Sequence, residues 1–147
     1  MGGEPKISLG IKVGGENYKV VVIDDSKTIR MMLKQMLLSE KFDIYIEAED
    51  GAMACEKIKE ATIEPEIIFC DVDMPNMNGI EFAKEVKNLA PKAKLIMATS
   101  HADGPTVQEL VKIGIAGYIV KPFDRQKVME SIAKVIGRVD YLPKFLK

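Results

Sequence analysis

From residue 19 onward the apolar residues of this chain fall into two alternating rhythms. Four short runs are apolar at nearly every position: Val20-Val21-Val22-Ile23, Ile67-Ile68-Phe69-Cys70, Leu95 to Thr99 and Tyr118 to Val120. Runs of this length predict strands covered on both faces. A fifth run, Phe42 to Ala48, alternates polar with apolar residues and predicts a half-exposed strand. Between the strands, apolar residues recur at spacings of three and four, as one face of a helix requires. The sets are Ile29, Met32, Leu33, Met36 and Leu37; Met53, Ala54 and Ile58; Ile80, Ala83 and Val86; Val107, Leu110 and Val111; and Val128, Ile132, Val135 and Ile136. Each follows a residue suited to accept from free helical N–H groups: Asp25 or Ser26, Asp50, Asn78, Asp103 (with Pro105 just inside) and Asp124. Gly114 and Gly137 are placed to end the last two.

Strands alternating with helices predict one α/β domain with a doubly wound parallel sheet. The half-exposed strand belongs at an edge, and setting it beside the first strand gives the order 2-1-3-4-5, a flavodoxin-like arrangement. That order reverses between strands 1 and 3, where open sheets bind their ligands. Outside the domain, expected over residues 19–137, lie an extension of residues 1–18 and a tail of residues 138–147. In the extension Ile7, Leu9, Ile11 and Val13 alternate before Gly14-Gly15. This reads as an extra strand that must pair with an edge strand of its own or a neighbouring subunit. The tail, apolar and basic from Tyr141 to Lys147, reads as frayed or packed on its own domain.

The chain of 147 residues is 47% hydrophobic, enough for a single sizeable core. With a net charge of -1 and its charges mixed along the sequence, it shows no basic stripe for nucleic acid or an anionic membrane. No apolar stretch suggests membrane insertion and no signal peptide is evident, so a cytoplasmic location is expected. Two cysteines, Cys55 and Cys70, are too few for a disulfide framework and read as reduced core thiols.

The chemistry gathers at strand ends. Strand 1 ends in Asp24-Asp25, strand 3 in Asp71, strand 4 in Thr99, and strand 5 in Lys121-Pro122, a candidate cis peptide. Singly these residues read as a helix cap, a strand-forming threonine and a solvated turn. Together they suit a metal-assisted phosphoryl transfer to an aspartate. Asp71 would be the acceptor. Asp24, Asp25 and Asp71, with the backbone carbonyl of Asp73, would hold Mg2+, an oxygen-seeking cation that keeps several waters. Lys121 would supply fixed positive charge, and Thr99 a hydroxyl for a phosphoryl oxygen.

These residues stand in motifs: Val22-Ile23-Asp24-Asp25-Ser26 with Thr28-Ile29-Arg30, Asp71 with Met74-Pro75-Asn76-Met77-Asn78-Gly79, Ala98-Thr99-Ser100, and Tyr118-Ile119-Val120-Lys121-Pro122-Phe123. Over about residues 19–137 they resemble the receiver domain of two-component response regulators, most of all the single-domain chemotaxis regulators. The 2-1-3-4-5 order is the family's own, so it does not count as independent support. The resemblance implies phosphorylation of Asp71 by a histidine kinase, Mg2+ (with Mn2+ as an alternative) as cofactor, and Thr99 and Tyr118 as the pair that rearranges. It makes Asp73 and His101 positions that tune hydrolysis of the acyl phosphate. With no output domain expected after residue 137, it implies a switch rather than an enzyme, binding a protein target such as a flagellar motor switch.

Two alternatives stand beside it. One is a phosphorelay intermediate that passes the group to a histidine phosphotransferase. The other is an enzyme, since Asp71-Val72-Asp73 matches the Asp-x-Asp of haloacid-dehalogenase-type phosphatases. Against that, such a motif normally follows the first strand, Pro75 departs from it, and Asp24-Asp25 would go unexplained.

Overall fold

A computed structural model describes residues 7–100 and 103–142. The elements alternate as the apolar rhythm requires: β1 (Lys19–Ile23), α1 (Lys27–Leu38), β2 (Asp43–Ala48), α2 (Gly51–Glu60), β3 (Ile67–Asp71), α3 (Gly79–Leu89), β4 (Lys94–Thr99), α4 (Gly104–Ile113), β5 (Gly117–Val120) and α5 (Arg125–Ile136). The strands form one parallel sheet in the order β2-β1-β3-β4-β5. The expected order and the edge position of β2 are both borne out.

Because successive strand residues point to opposite faces, the apolar runs supply two cores at once. Val21, Ile23, Ile68 and Cys70 pack under Ala54 and Ile58 of α2, Phe82 and Val86 of α3, and Leu110 of α4. Val20, Val22, Ile67 and Phe69 pack under Leu33 and Leu37 of α1 and Val128 and Ile132 of α5. Phe69 and Phe82 are fully buried, one in each layer; truncating either to alanine would cost about 3 to 5 kcal/mol. Cys55 and Cys70 are free, buried thiols. No helix among the described residues is long and apolar enough to cross a membrane.

The caps fall where the side chains anticipate them. Ser26, not Asp25, caps α1, its hydroxyl accepting from the Ile29 N–H, while Asp50, Asp103 and Asp124 accept from the first turns of α2, α4 and α5. Asn78 and Glu81 form a reciprocal capping box on α3. Gly114 and Gly137 close α4 and α5 in left-handed conformations (φ 98° and 80°).

Two regions depart from the sequence reading. On α4 only Leu110 is buried, and Val111 is exposed. The helix packs chiefly on α3, and β5, the four-residue edge strand that follows it, leaves Tyr118 and Val120 exposed, so the sheet offers this end little cover. Over the described residues 7–13 the expected extra strand does not form, and within the chain they pair with neither edge of the sheet. The chain turns at Gly14-Gly15 (φ 93° at Gly15), leaving one antiparallel bridge, Ile11 with Asn17. This small hairpin docks on the loop after α1. Gly10 donates to the Glu40 carbonyl at 2.7 Å, and Leu9 enters the α1/α5 core with no exposed surface. After α5, the short 3-10 turn Val139–Tyr141 brings Tyr141 Oη to Glu40 Oε1 (2.6 Å) and buries Leu142. That start of the tail packs on the domain; residues 143–147 lie outside the described residues.

Candidate functional site

At the carboxyl ends of β1 and β3, where the sheet order reverses, acidic side chains gather in the crevice that such a reversal leaves. Asp24 follows β1 directly and is 3% exposed, and Asp71, the last residue of β3, is 4% exposed. Asp25, one residue further on, is exposed. Oxygens of all three carboxylates lie within 4.8 Å of one another. Lys121, carried in from the end of β5, places Nζ 2.8 Å from Asp24 Oδ2 and 3.3 Å from Asp71 Oδ1. The Lys121-Pro122 peptide is cis, as the sequence suggested.

Backbone contacts hold these groups. Asp24 Oδ1 accepts from the Ser26 N–H at 2.9 Å, and Arg30 Nη1 on α1 donates to the Asp24 carbonyl at 2.6 Å. The Asp73 N–H donates to Asp71 Oδ1 at 3.4 Å, so the turn leaving β3 folds back over the acceptor carboxylate; Asp73 itself is exposed. Thr99, at the end of β4, is fully buried, and its carbonyl accepts from the Lys121 N–H at 2.8 Å. Tyr118 stands apart on edge strand β5, paired with Met97 and 44% exposed. His101 lies outside the described residues.

Burial first, and the neighbouring Asp24 second, push the Asp71 carboxyl from 3.8 up to about 6 despite the opposing Lys121. Burial pulls Lys121 down, but its hydrogen bond to Asp24 and the charges of both acids outweigh this and leave it raised. The Cys70 thiol beside the site is driven well up by burial and then by Asp71, which keeps it protonated and inert. Three carboxylates thus face one ammonium. The surplus negative charge and all-oxygen donor set fit a hard divalent cation such as Mg2+, and the exposure of Asp25 leaves room for water ligands. The Asp71-Val72-Asp73 run follows β3, not the first strand of the sheet.

Sequence reasoning treated Asp50 only as a cap and Asn76 only as part of a motif. Asn76 Nδ2 donates to Asp50 Oδ2 at 2.8 Å, joining the start of α2 to the loop after Asp71. Asn76 also holds φ at 63°, a conformation asparagine tolerates better than most residues. That tolerance, in a Pro-Asn-Met-Asn-Gly turn, was the one signal available.

The family model for the response regulator receiver domain matches residues 20–133. The chain is 35% identical over 120 residues to the chemotaxis protein CheY of Bacillus subtilis, covering 82% of this chain and 98% of that protein. It is 38% identical over 117 residues to CheY of Thermotoga maritima, covering 80% and 96%. Among solved structures, the complex of CheX, CheY, BeF3 and Mg2+ from Borrelia burgdorferi contains a chain that superposes with a TM-score of 0.85 at 30% identity, covering 89% of this chain and 98% of that one. The acids and Lys121, with Thr99 at the end of β4, stand within the residues that the family model spans, and the chain belongs to the response regulator receiver domain family.

Proposed function

We propose that the chain is a phosphorylation-controlled switch that takes a phosphoryl group on Asp71 from a histidine kinase. The observation that carries this reading is a buried acceptor carboxylate set between a second buried acid and a lysine. A carboxylate oxygen of Asp71 attacks phosphorus, the bond to the donor nitrogen breaks, and the aspartyl phosphate keeps the group. A Mg2+ ion, with Mn2+ as a substitute, would be held by Asp24, Asp25, Asp71 and the Asp73 carbonyl, and would neutralise charge on the phosphoryl oxygens. Lys121 supplies the fixed positive charge on the opposite side. Burial leaves Asp71 poorly solvated, which favours its action as a nucleophile above the pH at which it ionises.

Once phosphate is in place, the Thr99 hydroxyl donates to it and the Tyr118 ring turns inward, reshaping the surface of α4, β5 and α5. A ring 44% exposed on an edge strand has somewhere to move from. The reading has the protein act in the cytoplasm on a protein target such as a flagellar motor switch. The chemotaxis relatives, matched over nearly their whole length, support this choice of target. Self-phosphorylation and self-dephosphorylation are the only turnover it assigns, with Asp73 and His101 tuning the second.

The test is labelling with a small phosphoramidate, with Mg2+ or Mn2+ and with chelator. One phosphoryl group on Asp71, absent from Asp71→Asn and from chelated protein, is expected by mass spectrometry. Labelling elsewhere, or labelling without metal, would sink the reading. For the switch, phosphorylated Thr99→Ala should bind a target captured by phosphorylated wild type at least about fivefold more weakly; equal affinity would remove Thr99 from it.

A further inference from the structure

The loop between Asp71 and α3 carries the Asp73 N–H that touches the acceptor, so whatever fixes this loop fixes one wall of the crevice. Its base is closed within itself. Gly79 donates to the Val72 carbonyl at 2.8 Å, and Gly79 lies so close to the Asp71 carbonyl that any side chain there would collide with it.

The tip is held from outside. Asp50, 7% exposed after the edge strand β2, divides its two oxygens: Oδ1 takes the Met53 N–H at 2.8 Å and caps α2, while Oδ2 takes Asn76 Nδ2 at 2.8 Å. One residue on, the Gly51 N–H donates to the Met77 carbonyl at 3.0 Å, and a Cβ on Gly51 would fall 2.8 Å from Met77 Cγ. Glycine at 51 therefore lets the start of α2 lie flush against the loop. Asn76 meets Asp50 in a left-handed conformation, so the loop is bent to bring its amide there.

We infer that Asp50 and Asn76 are positioning residues, which hold the tip of the β3–α3 loop on the start of α2 and thereby set the loop for the metal and phosphoryl group at Asp71. A helix cap needs one carboxylate oxygen, and the second, spent on a loop 26 residues further along the chain, is the part that capping does not explain. The inference rests on the metal-site reading above. It requires a coupling: a cation bound through this loop should tighten the clamp, and loosening the clamp should weaken the cation to the same degree.

Two variants separate the clamp from the cap. Asp50→Ser keeps a good capping oxygen but is too short to reach Asn76, and Asn76→Gly keeps the left-handed backbone but removes the amide. The reporter in metal-free protein is exchange of the Gly51 amide, whose acceptor is the Met77 carbonyl. Exchange should quicken by about fivefold or more in each variant while β1 amides stay protected, and Mg2+ affinity by calorimetry should fall by a similar factor. The double variant should be no worse than the weaker single one, and Mg2+ should slow Gly51 exchange in the wild type. Unchanged Gly51 exchange in both variants, or faster exchange with Mg2+ affinity untouched, would overturn the inference. A wild type that binds no Mg2+ would overturn the site reading itself, and this inference with it.

Discussion

Replacing the acceptor with its uncharged isostere should make the metal-free protein more stable. Asp71 is almost fully buried beside Asp24, and its carboxyl is pushed from 3.8 to about 6, by burial first and by the Asp24 charge second. An acid with a raised folded value is bound to its proton more tightly in the folded state than in the unfolded one. Stability therefore falls as pH rises through the window from 3.8 to about 6, and the full penalty stands above it. At 1.36 kcal/mol per pH unit this displacement corresponds to about 3 kcal/mol. Two carboxylates within 4.8 Å would repel by a similar amount at an effective dielectric constant of about 20, which Lys121 at 3.3 Å partly offsets. Asparagine removes the charge but brings an NH2 group that needs partners of its own, so the expected gain is about 1 to 3 kcal/mol.

Urea unfolding in chelator would show it, with Asp71→Asn resisting unfolding better than wild type at pH 8 and the gap closing near pH 4. Exposed Asp25, changed the same way, should give a much smaller gain. Saturating Mg2+ should then narrow or reverse the order, since a ligand at about 100 times its Kd adds about 2.7 kcal/mol to the form that binds it. An Asp71→Asn protein less stable than wild type at pH 8 without metal would refute the reasoning. It would mean that Lys121 more than compensates the buried charge.

Three further outcomes are expected. Gly10→Ala would drive a Cβ into the backbone of Glu40, Lys41 and Phe42, which cannot yield, and should cost about 1 to 3 kcal/mol in urea unfolding; a neutral result would mean that the hairpin is not docked there. Glu40 is raised by burial but lowered overall by Tyr141 Oη, the Leu9 N–H and Arg125, so Glu40→Gln should lose about 1 to 2 kcal/mol at pH 7, a loss that starts to shrink as pH falls through the ordinary value of 4.5 and vanishes only below the lowered folded one. A loss independent of pH would show that the charge is not what the three donors recognise. Asp73→Asn should weaken Mg2+ about two- to fivefold at low ionic strength, as removal of a nearby exposed charge does, and calorimetry showing equal or tighter binding would place that side chain away from the cation.

The central sheet was legible because its sequence admits few alternatives. Runs such as Val20 to Ile23 and Ile67 to Cys70 are apolar at every position, and only a strand with helices on both faces buries them all. The N-terminal segment misled for the converse reason. Alternation over Ile7 to Val13 is equally compatible with an edge strand and with a short hairpin, and the deciding features are glycines. Gly10 permits contact with the loop after α1 and Gly15 takes the left-handed turn. Of the alternating residues Leu9 is fully buried, while Ile7 and Val13 face outward. A single anchoring side chain leaves no periodicity to read.

The same contrast runs through the site. Asp24, Asp71, Thr99 and Lys121 could be placed from sequence because a parallel sheet brings all its strand ends to one side, where the long Lys121 side chain, from a strand separated from β1 by β3 and β4, reaches Asp24, 97 residues away in the chain. Strand ends, however, locate side chains only to within a loop's freedom, and phosphoryl transfer is sensitive to about 1 Å. What removes that freedom is a second set of contacts with no sequence period: Arg30 on the Asp24 carbonyl, Ser26 on its carboxylate, and Asp50 on Asn76. Each joins a helix start or first turn to a loop, and each uses a residue whose local role is already filled by capping or by a motif. Such residues read as fully explained in the sequence, and their second contact comes into view only when the neighbouring loop is in place.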